Sequence, residues 1–402
     1  MRPASVRKHR AALLATGLAV LCGWGFSLTG AVFASTRLVP EQYATIQAGI
    51  DASADGDTVL LAPGVYAGVG NREIEMRGID LVLTSRDGPA ATVIDCESAG
   101  RAFYLHEGES PAARIERSTI RNGWTDVDDP GVGAGGAIYI AYSHVTIADC
   151  VIVHNAAYWD GGGLYLCATC RVERCLIAGN SGRSGGGIAK AVGVVAIEDC
   201  VITGNFAGSG GGVAFTGPPP NTLTRCTISS NWAGHGGGVF TIGRIELTNC
   251  IVWGNCDWGG EDQLSLRGPG AGLRCCAIDT TGVTVGEADY DEFCVFTPPL
   301  FCGARPCGQT NEGNWLLDAE SPCLPEHSPC GELIGALGQG CGGAPSTGAC
   351  CLANGSCVVE SQQACVQESG VYMGDAVPCE LNTCGPTPTR VTSWGRIKAA
   401  FR

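Results

Sequence analysis

Five segments of this sequence share one pattern that decides the fold: Cys150-Val-Ile-Val-His-Asn155, Cys175-Leu-Ile-Ala-Gly-Asn180, Cys200-Val-Ile-Thr-Gly-Asn205, Cys226-Thr-Ile-Ser-Ser-Asn231 and Cys250-Ile-Val-Trp-Gly-Asn255. The pattern recurs every 24 to 26 residues, and each copy is followed by a short loop and a run of glycines. A fixed period of this length is the signature of a solenoid, in which each repeat packs only against its neighbours.

Apolar and polar residues alternate within each repeat, as they do in short β-strands. Ile147, Val172 and Ile197 stand three residues before a cysteine, and Ile152 and Ile177 stand two residues after one. No stretch between them has a helical period. We expect three strands and three turns per coil, with equivalent residues stacked about 4.8 Å apart. The predicted fold is all-β, a right-handed single-stranded parallel β-helix.

Stacking of the coils gives the two repeated polar positions a structural meaning. The cysteine column is expected to be a ladder of inward-facing free thiols, because stacked neighbours point the same way and are poorly placed to bridge. This column comprises Cys150, Cys175, Cys200, Cys226 and Cys250. The asparagine column is expected to form a hydrogen-bonded ladder at a turn. It comprises Asn155, Asn180, Asn205, Asn231 and Asn255.

Composition and charge agree with a turn-rich solenoid and exclude one class of partner. The 402 residues include 61 glycines, and 16% of residues are charged. The formal net charge of −14 argues against nucleic acid as a partner, because nucleic-acid-binding proteins present basic faces.

The first 34 residues resemble a signal peptide. A basic head at Arg2 and Arg7–Arg10 precedes the apolar stretch 11–28, and small residues before Ala34 suit cleavage after that residue. The alternative is that this apolar stretch is retained as a membrane anchor. No later segment is apolar enough to cross a bilayer. We therefore expect a secreted or cell-surface protein, with no transmembrane segment after cleavage. Disulfides are then plausible, and 23 of the 24 cysteines follow the predicted cleavage site.

Two sets of residues resemble a known family. The segments Val39-Pro40, Thr45-Ile46-Gln47 and Pro63-Gly64-Val65-Tyr66 look like the opening cap of pectin-lyase-like right-handed β-helix proteins. The repeats are similar to those of bacterial secreted and polymorphic outer-membrane proteins. The resemblance spans roughly residues 39–341 and implies a fold. It implies no single activity, because the family includes lyases, hydrolases and adhesins.

The sequence divides into four parts. After the signal peptide, residues 35–341 are expected to form the β-helix, with a cysteine- and proline-rich closing cap from residue 289. Residues 342–385 contain six closely spaced cysteines and are expected to form a small disulfide-rich module; a zinc knuckle is the alternative. Residues 386–402 are a proline- and threonine-rich linker followed by a basic amphipathic tail, either a sorting signal or a structureless end.

The family's enzymes suggest two sets of catalytic residues to look for, and neither is complete in this sequence. Polygalacturonases use paired aspartates, Gly-His-Gly and Arg-Ile-Lys, yet Arg396 and Lys398 lie in the tail, far beyond His235. Pectate lyases bind Ca²⁺ through carboxylates. Asp126, Asp128 and Asp129 share one loop and could hold Ca²⁺, although solvated loop acids are the simpler interpretation. No catalytic residue is assigned, no metal site is assigned, and no other cofactor is expected.

The loops after the asparagine ladder are rich in aromatic residues with acids beside them. Such loops suit sugars, whose faces are apolar and whose rims form hydrogen bonds; the alternative is that the rings pack over their own turns. The candidate glycan-binding edge comprises Trp124, Asp126, Trp159, Asp160, Trp232, His235, Asp257 and Trp258. The sequence thus favours a non-enzymatic structural, adhesive or glycan-binding protein, with polysaccharide or a cell-envelope component as partner. An extracellular polysaccharide lyase or glycoside hydrolase is the alternative.

Overall fold

The coils form a right-handed parallel β-solenoid, in agreement with the expected fold class. The protein is described by a computed structural model, which covers residues 34–126, 133–284, 286–303, 307, 313–342, 347–352, 356–361, 365, 371–372 and 379. The expected signal peptide and the tail at 386–402 lie outside the described residues, apart from Ala34. Within those residues, none of the helices has the length and apolar character needed to cross a bilayer.

The coils build four sheets, which we label A to D and define by their strands below. Each complete coil passes through them in the order C, A, B and D. Sheet A contains Thr36–Val39, Thr58–Leu61, Val82–Ser85, Arg114–Glu116, Thr146–Ala148, Cys170–Glu173, Val195–Glu198, Asn221–Thr224, Ile245–Thr248, Ala271–Arg274 and Ala288–Tyr290. Sheet B contains Gly64–Tyr66, Thr92–Asp95, Thr119–Arg121, Val151–Val153, Leu176–Ala178, Val201–Thr203, Thr227–Ser229, Ile251–Trp253 and Ala277–Ile278.

The other two sheets lie between the asparagine ladder and the next sheet A strand. Sheet C contains Phe103–Leu105, Ile138–Ala141, Leu164–Cys167, Ile188–Val192, Val213–Phe215, Val239–Thr241, Leu264–Leu266 and Val283–Thr284. Sheet D contains Trp124–Thr125, Ala156–Ala157, Ser181–Ser184, Phe206–Ser209, Trp232–Ala233, Cys256–Asp257 and the antiparallel Gly260–Glu261.

Sheet D corrects the expectation of three strands per coil. Its strands are two to four residues long, too short for a period-two pattern to appear in the sequence. They nevertheless pair in register, with Ala156 opposite Trp124, Phe206 opposite Ser181 and Trp232 opposite Phe206. The aromatic segments that the sequence analysis placed in loops therefore begin on a sheet.

The two ladders occupy successive corners of the coil. Every cysteine of the first ladder is fully buried and free of disulfide bonds, at the corner between sheets A and B. Every asparagine of the second is buried between sheets B and D. Asn180 donates from Nδ2 to Oδ1 of Asn205 at 3.0 Å, and Asn205 donates to Asn231 at 2.9 Å. Gln263 ends this ladder by accepting from Nδ2 of Asn255 at 2.8 Å.

The glycine runs make the sharp corner between sheets D and C. The first glycine of a run has a left-handed backbone, as Gly185 does with φ of 64°. A Cβ on the second, Gly186, would lie 2.4 Å from the carbonyl oxygen of Phe206 in the next coil. A Cβ on the third, Gly187, would press on the side chain of Asn205 at 3.1 Å. In these coils the corner has no room for a larger residue at its second position, and it brings sheets C and D close together.

Additional elements cover the solenoid's start and one of its faces. The helix Ile46–Asp51 buries Ile46 and Ile50 in the core of the first coils. The described residues between 300 and 341, which we call the C-terminal arm, lie along the outer face of sheet B. There Trp315 and Leu337 pack with sheet B residues including Val151. The arm contains the strands Phe301–Gly303, Asn314–Asp318 and Gln339–Cys341, and a 3₁₀ turn, Thr280–Gly282, precedes it.

The cysteine-rich module is a small antiparallel sheet of Thr347–Cys351, Cys357–Ser361 and Val371–Tyr372. Disulfides Cys350–Cys365 and Cys357–Cys379 cross-link it, and Cys351 is also disulfide-bonded. Cysteines in this part of the chain are therefore bridged, as expected for a unit too small to have a substantial apolar core.

Candidate functional site

Sheet D and the residues that follow each of its strands form one continuous edge of the solenoid, which we call the aromatic strip. One outward column contains Trp124, Ala156, Ser181, Phe206 and Trp232, in register from coil to coil. Residues two positions later in each coil form a second column. It contains Asp126, Tyr158, Arg183, Gly208, Gly234 and Trp258. Trp124 and Phe206 are three coils apart, or about 14 Å along the axis.

The C-terminal end of the strip is an exposed cluster of three rings. Phe206 and Trp232 stack with centroids 4.5 Å apart and an interplanar angle of 6°. Trp258 meets Trp232 edge-on at 4.4 Å. Phe206 is 51% exposed and Trp258 is 82% exposed, whereas Trp232 is half-buried between them. Mutual packing holds the rings in place and leaves the face of Trp258 and the outer face of Phe206 open to solvent.

The ring of Trp258 lies over a glycine of the preceding coil. A Cβ at Gly234 would lie 3.7 Å from Nε1 of Trp258, so the indole lies against bare backbone on the coil beneath it. Trp258 itself follows Asp257, whose Oδ1 accepts the backbone N–H of Gly259 at 2.6 Å. Asp257 therefore stabilises the turn that carries the exposed ring.

The middle of the strip differs from the aromatic platform that the sequence suggested. Trp159 is half-buried, and the guanidinium carbon of Arg183 lies 4.7 Å from its ring centroid. One face of this indole is therefore already occupied. Tyr158 is exposed and contacts Trp159 edge-on at 5.5 Å. The tryptophans thus form separate groups along the strip, because coils with Ala156 and Ser181 in the first column interrupt the aromatic line.

Asp160 and His235 lie at the corner between sheets D and C, where each directly precedes a glycine run. Desolvation by burial raises the pKa of Asp160, while a hydrogen bond from Ser184 and the charge of Arg183 act in the opposite direction. Asp160, Ser184, Ser209 and His235 occupy the same position in successive coils. The side chain of His235 is exposed, and its backbone carbonyl accepts the backbone N–H of Gly210. The structure does not bring the side chains of Asp160 and His235 together.

The N-terminal end of the strip is an open cleft of about 300 Å³ that includes Trp124 and Asp126. Its other lining residues include Glu73, Gly100 and Arg101, which the sequence analysis did not single out. Glu73 and Arg101 lie before the regular repeats begin, where no period marks a position as functional. Glu73 and Arg101 lie close to Trp124 only because the chain winds back onto the same edge of the solenoid.

A second aromatic row, on the outer face of sheet C, was also missed. Tyr139 stacks on Tyr165 with centroids 5.2 Å apart, and Tyr104 lies 5.1 Å from Tyr139. Arg101 lies over Tyr104 at 4.9 Å, so its guanidinium connects this row to the cleft. The signal was present in the repeats: Tyr139 and Tyr165 each follow the first apolar residue after a glycine run.

The prediction of Ca²⁺ at Asp126, Asp128 and Asp129 stays a prediction, since Asp128 and Asp129 lie outside the described residues. Among the residues that the structure describes, no group of three or more His, Cys, Asp or Glu side chains is arranged to hold a metal ion. Cys167 and Cys170, which are spaced as a Cys-x-x-Cys pair, are both free of disulfide bonds, and burial raises the pKa of the Cys170 thiol to about 12.

Comparisons with known proteins add a fold likeness. No family model matches this sequence, and no curated protein matches it. Among solved structures, the chain is similar to pectate lyase Pel9A, with 14% sequence identity and a TM-score of 0.38. The likeness covers 73% of this chain and 90% of that one.

Proposed function

We propose that this protein is an exported, non-enzymatic solenoid that binds carbohydrate chains along the aromatic strip. The observation that carries the proposal is the cluster of Phe206, Trp232 and Trp258, in which Phe206 and Trp258 are exposed and Trp232 is half-buried between them. Large exposed rings on an ordered surface are unfavourable unless a partner covers them, so such patches mark binding sites.

Sugars fit this surface in shape and chemistry. Their ring faces are apolar and stack on indoles. The hydroxyl groups around the rim of each ring donate hydrogen bonds to nearby polar groups and accept hydrogen bonds from them. The strip offers Arg183, Asp126 and His235 as exposed polar groups between or beside the aromatic ones. Because the aromatic cluster is already packed, binding immobilises few side chains, which lowers the entropic cost of association.

Replacing Trp258 tests this proposal directly. Trp258→Ala removes the most exposed ring of the cluster and should weaken binding to a responsive polysaccharide by roughly tenfold, or about 1–2 kcal/mol. Its melting temperature should change little, because the ring is 82% exposed. Trp232→Ala is less selective, because Trp232 is half-buried and its removal also costs stability.

A glycan screen of the secreted form, run with and without Ca²⁺, identifies the responsive polysaccharide. Tyr142→Ala is the matched control: Tyr142 is also 82% exposed but lies at the turn between sheets C and A, away from the strip. Equal affinities for the Trp258 variant and the parent protein, or equal losses in both variants, would contradict the proposal.

The enzymatic alternative has one observation in its favour. Burial raises the pKa of Asp160 within the strip, as is common for a general acid. The same binding samples should therefore be assayed for new reducing ends and for unsaturated products. Cleavage that disappears in Asp160→Asn would replace the binding proposal with an enzymatic one.

A further inference from the structure

The N-terminal cleft differs in chemistry from the rest of the strip. One wall is the ring of Trp124, which is 45% exposed, and Asp126 is exposed beside it. Glu73 lines the opposite part with its carboxylate partly in solvent. Gly100 also lines the cleft, and the carboxylate of Glu73 lies against it: a Cβ at Gly100 would be 2.7 Å from Oε1 of Glu73. The cleft thus combines an indole face with two accessible carboxylates.

The positive charge of the cleft is buried and already engaged. Arg101 is only 3% exposed. Its Nη1 donates to the carbonyl of Ala134 at 2.9 Å, and its Nε lies 3.5 Å from Oε2 of Glu73. The backbone N–H of Arg101 also donates to Oε1 of Glu73 at 2.9 Å, which fixes that carboxylate at the rim. A ligand therefore meets the two carboxylates rather than the guanidinium.

A cation suits this arrangement better than an anion. An ammonium over an indole face is attracted by the ring's negative face, and nearby carboxylates add direct ion pairing. The whole chain carries a formal charge of −14, which raises the local concentration of cations and repels uronate or sulfated polymers. Arg183, a cation farther along the strip, lies over the ring of Trp159.

We infer that this cleft binds the free ammonium group of an amino sugar, so that the glycan recognised by the strip contains glucosamine-type residues without N-acetyl groups. The inference rests on the proposed function, since the sugar chain continues along the strip towards Phe206. Trp124 would stack on the sugar and its ammonium, while Asp126 and Glu73 would accept hydrogen bonds from the ammonium.

Three soluble hexamers test the inference on the full chain: glucosamine, its fully N-acetylated counterpart and galacturonate. Affinities are measured by titration calorimetry at pH 6 and low salt. The glucosamine hexamer should bind about fivefold more tightly than the acetylated one, and its advantage should shrink as salt is added. The galacturonate hexamer should bind most weakly.

Two variants locate the preference. Asp126→Asn changes an exposed side chain and should abolish most of the preference for free amino groups, because a neutral amide does not pair with an ammonium group. Trp258→Ala should weaken both chains equally and retain the preference. If the acetylated or galacturonate hexamer binds as tightly as the amino one, the inference is wrong and the binding proposal stands. If none of the hexamers or screened polysaccharides binds, both fail.

Discussion

The cysteines of the ladder and those that link the last coils to the arm have opposite fates in the same chain. Those of the ladder, such as Cys200, are buried free thiols stacked in one direction. Those after residue 255 mostly form disulfides, including Cys256–Cys307, Cys275–Cys330 and Cys302–Cys341. The difference shows that backbone context decides whether a cysteine is bridged, because both groups belong to the same chain.

The ladder replaces cross-links with repeated weak contacts. The Sγ of Cys200 accepts the backbone N–H of Cys175 at 3.4 Å and donates to the carbonyl of Val172 at 3.7 Å. The same backbone-to-sulfur bond joins Cys226 to Cys250, and the apolar core surrounds the column. The C-terminal arm has no such repeat. Its packing on sheet B is reinforced by covalent links, which stabilise chiefly by restricting the unfolded chain.

The largest expected effect concerns the arm. Replacing both Cys275 and Cys330 by alanine removes a link between the last coils and the arm, and should lower the free energy of unfolding by about 2–4 kcal/mol. Chemical denaturation monitored by tryptophan fluorescence measures the loss, and buried Trp315 is one of the eight tryptophans that contribute to the signal. Binding of an apolar dye should rise as the arm leaves sheet B. An unchanged denaturation midpoint would mean that apolar packing alone holds the arm.

A smaller expected effect is a change in the free energy of unfolding with pH, to which the free thiols contribute and the bridged cysteines do not. Burial raises the pKa of the Cys200 thiol well above its usual value, and bridged cysteines do not titrate. Since the unfolded chain loses this proton near pH 8.5 while the folded chain keeps it, the stabilisation is complete below that pH. It is lost as pH rises towards the folded pKa, by about 1.4 kcal/mol per pH unit.

Denaturation of the parent protein and of Cys200→Ala at pH 8, 9 and 10 isolates this contribution. The variant should show a slope that is shallower by roughly 1.4 kcal/mol per pH unit, because it has one buried thiol fewer. Identical slopes would show that the Cys200 thiol is not protected from ionisation.

The smallest effect is that of Cys200→Ala itself at neutral pH. Removing one buried sulfur leaves a small cavity and should cost about 1 kcal/mol. Thr248→Ala, an exposed outward position on sheet A, is the control and should cost less than about 0.5 kcal/mol. In alkylation of the native protein, partly exposed Cys167 should react before any ladder cysteine. Rapid labelling of Cys200 would contradict its burial.

Regular repeats were predictable because each position is repeated in five coils. The sequence identified the inward thiols, the asparagine ladder and the glycine corner from their spacing, and the structure places all three as buried columns. Sheet D was missed because strands such as Trp232–Ala233 are too short for an alternating pattern. Gln263, which ends the asparagine ladder, was missed because it occurs once, after an irregular turn.

The candidate site was only partly visible for the same reason. Trp124, Trp232 and Trp258 could be assigned to one edge from their position after the ladder, but their grouping depends on the small residues in intervening coils. Glu73 and Arg101 join Trp124 from an irregular part of the chain, so no spacing rule connects them. The arm's placement on sheet B likewise depends on long-range packing between segments with no repeat in common.

By itself, the sequence determined the solenoid, its period and its inward-facing columns, because in-register stacking makes each coil a template for the next. Tertiary structure alone decided how the cysteines of the arm pair with the last coils, where the arm lies, and which aromatic rings face solvent. Those outcomes depend on contacts between segments far apart in the chain, and a local pattern contains no information about which distant surface a side chain will meet.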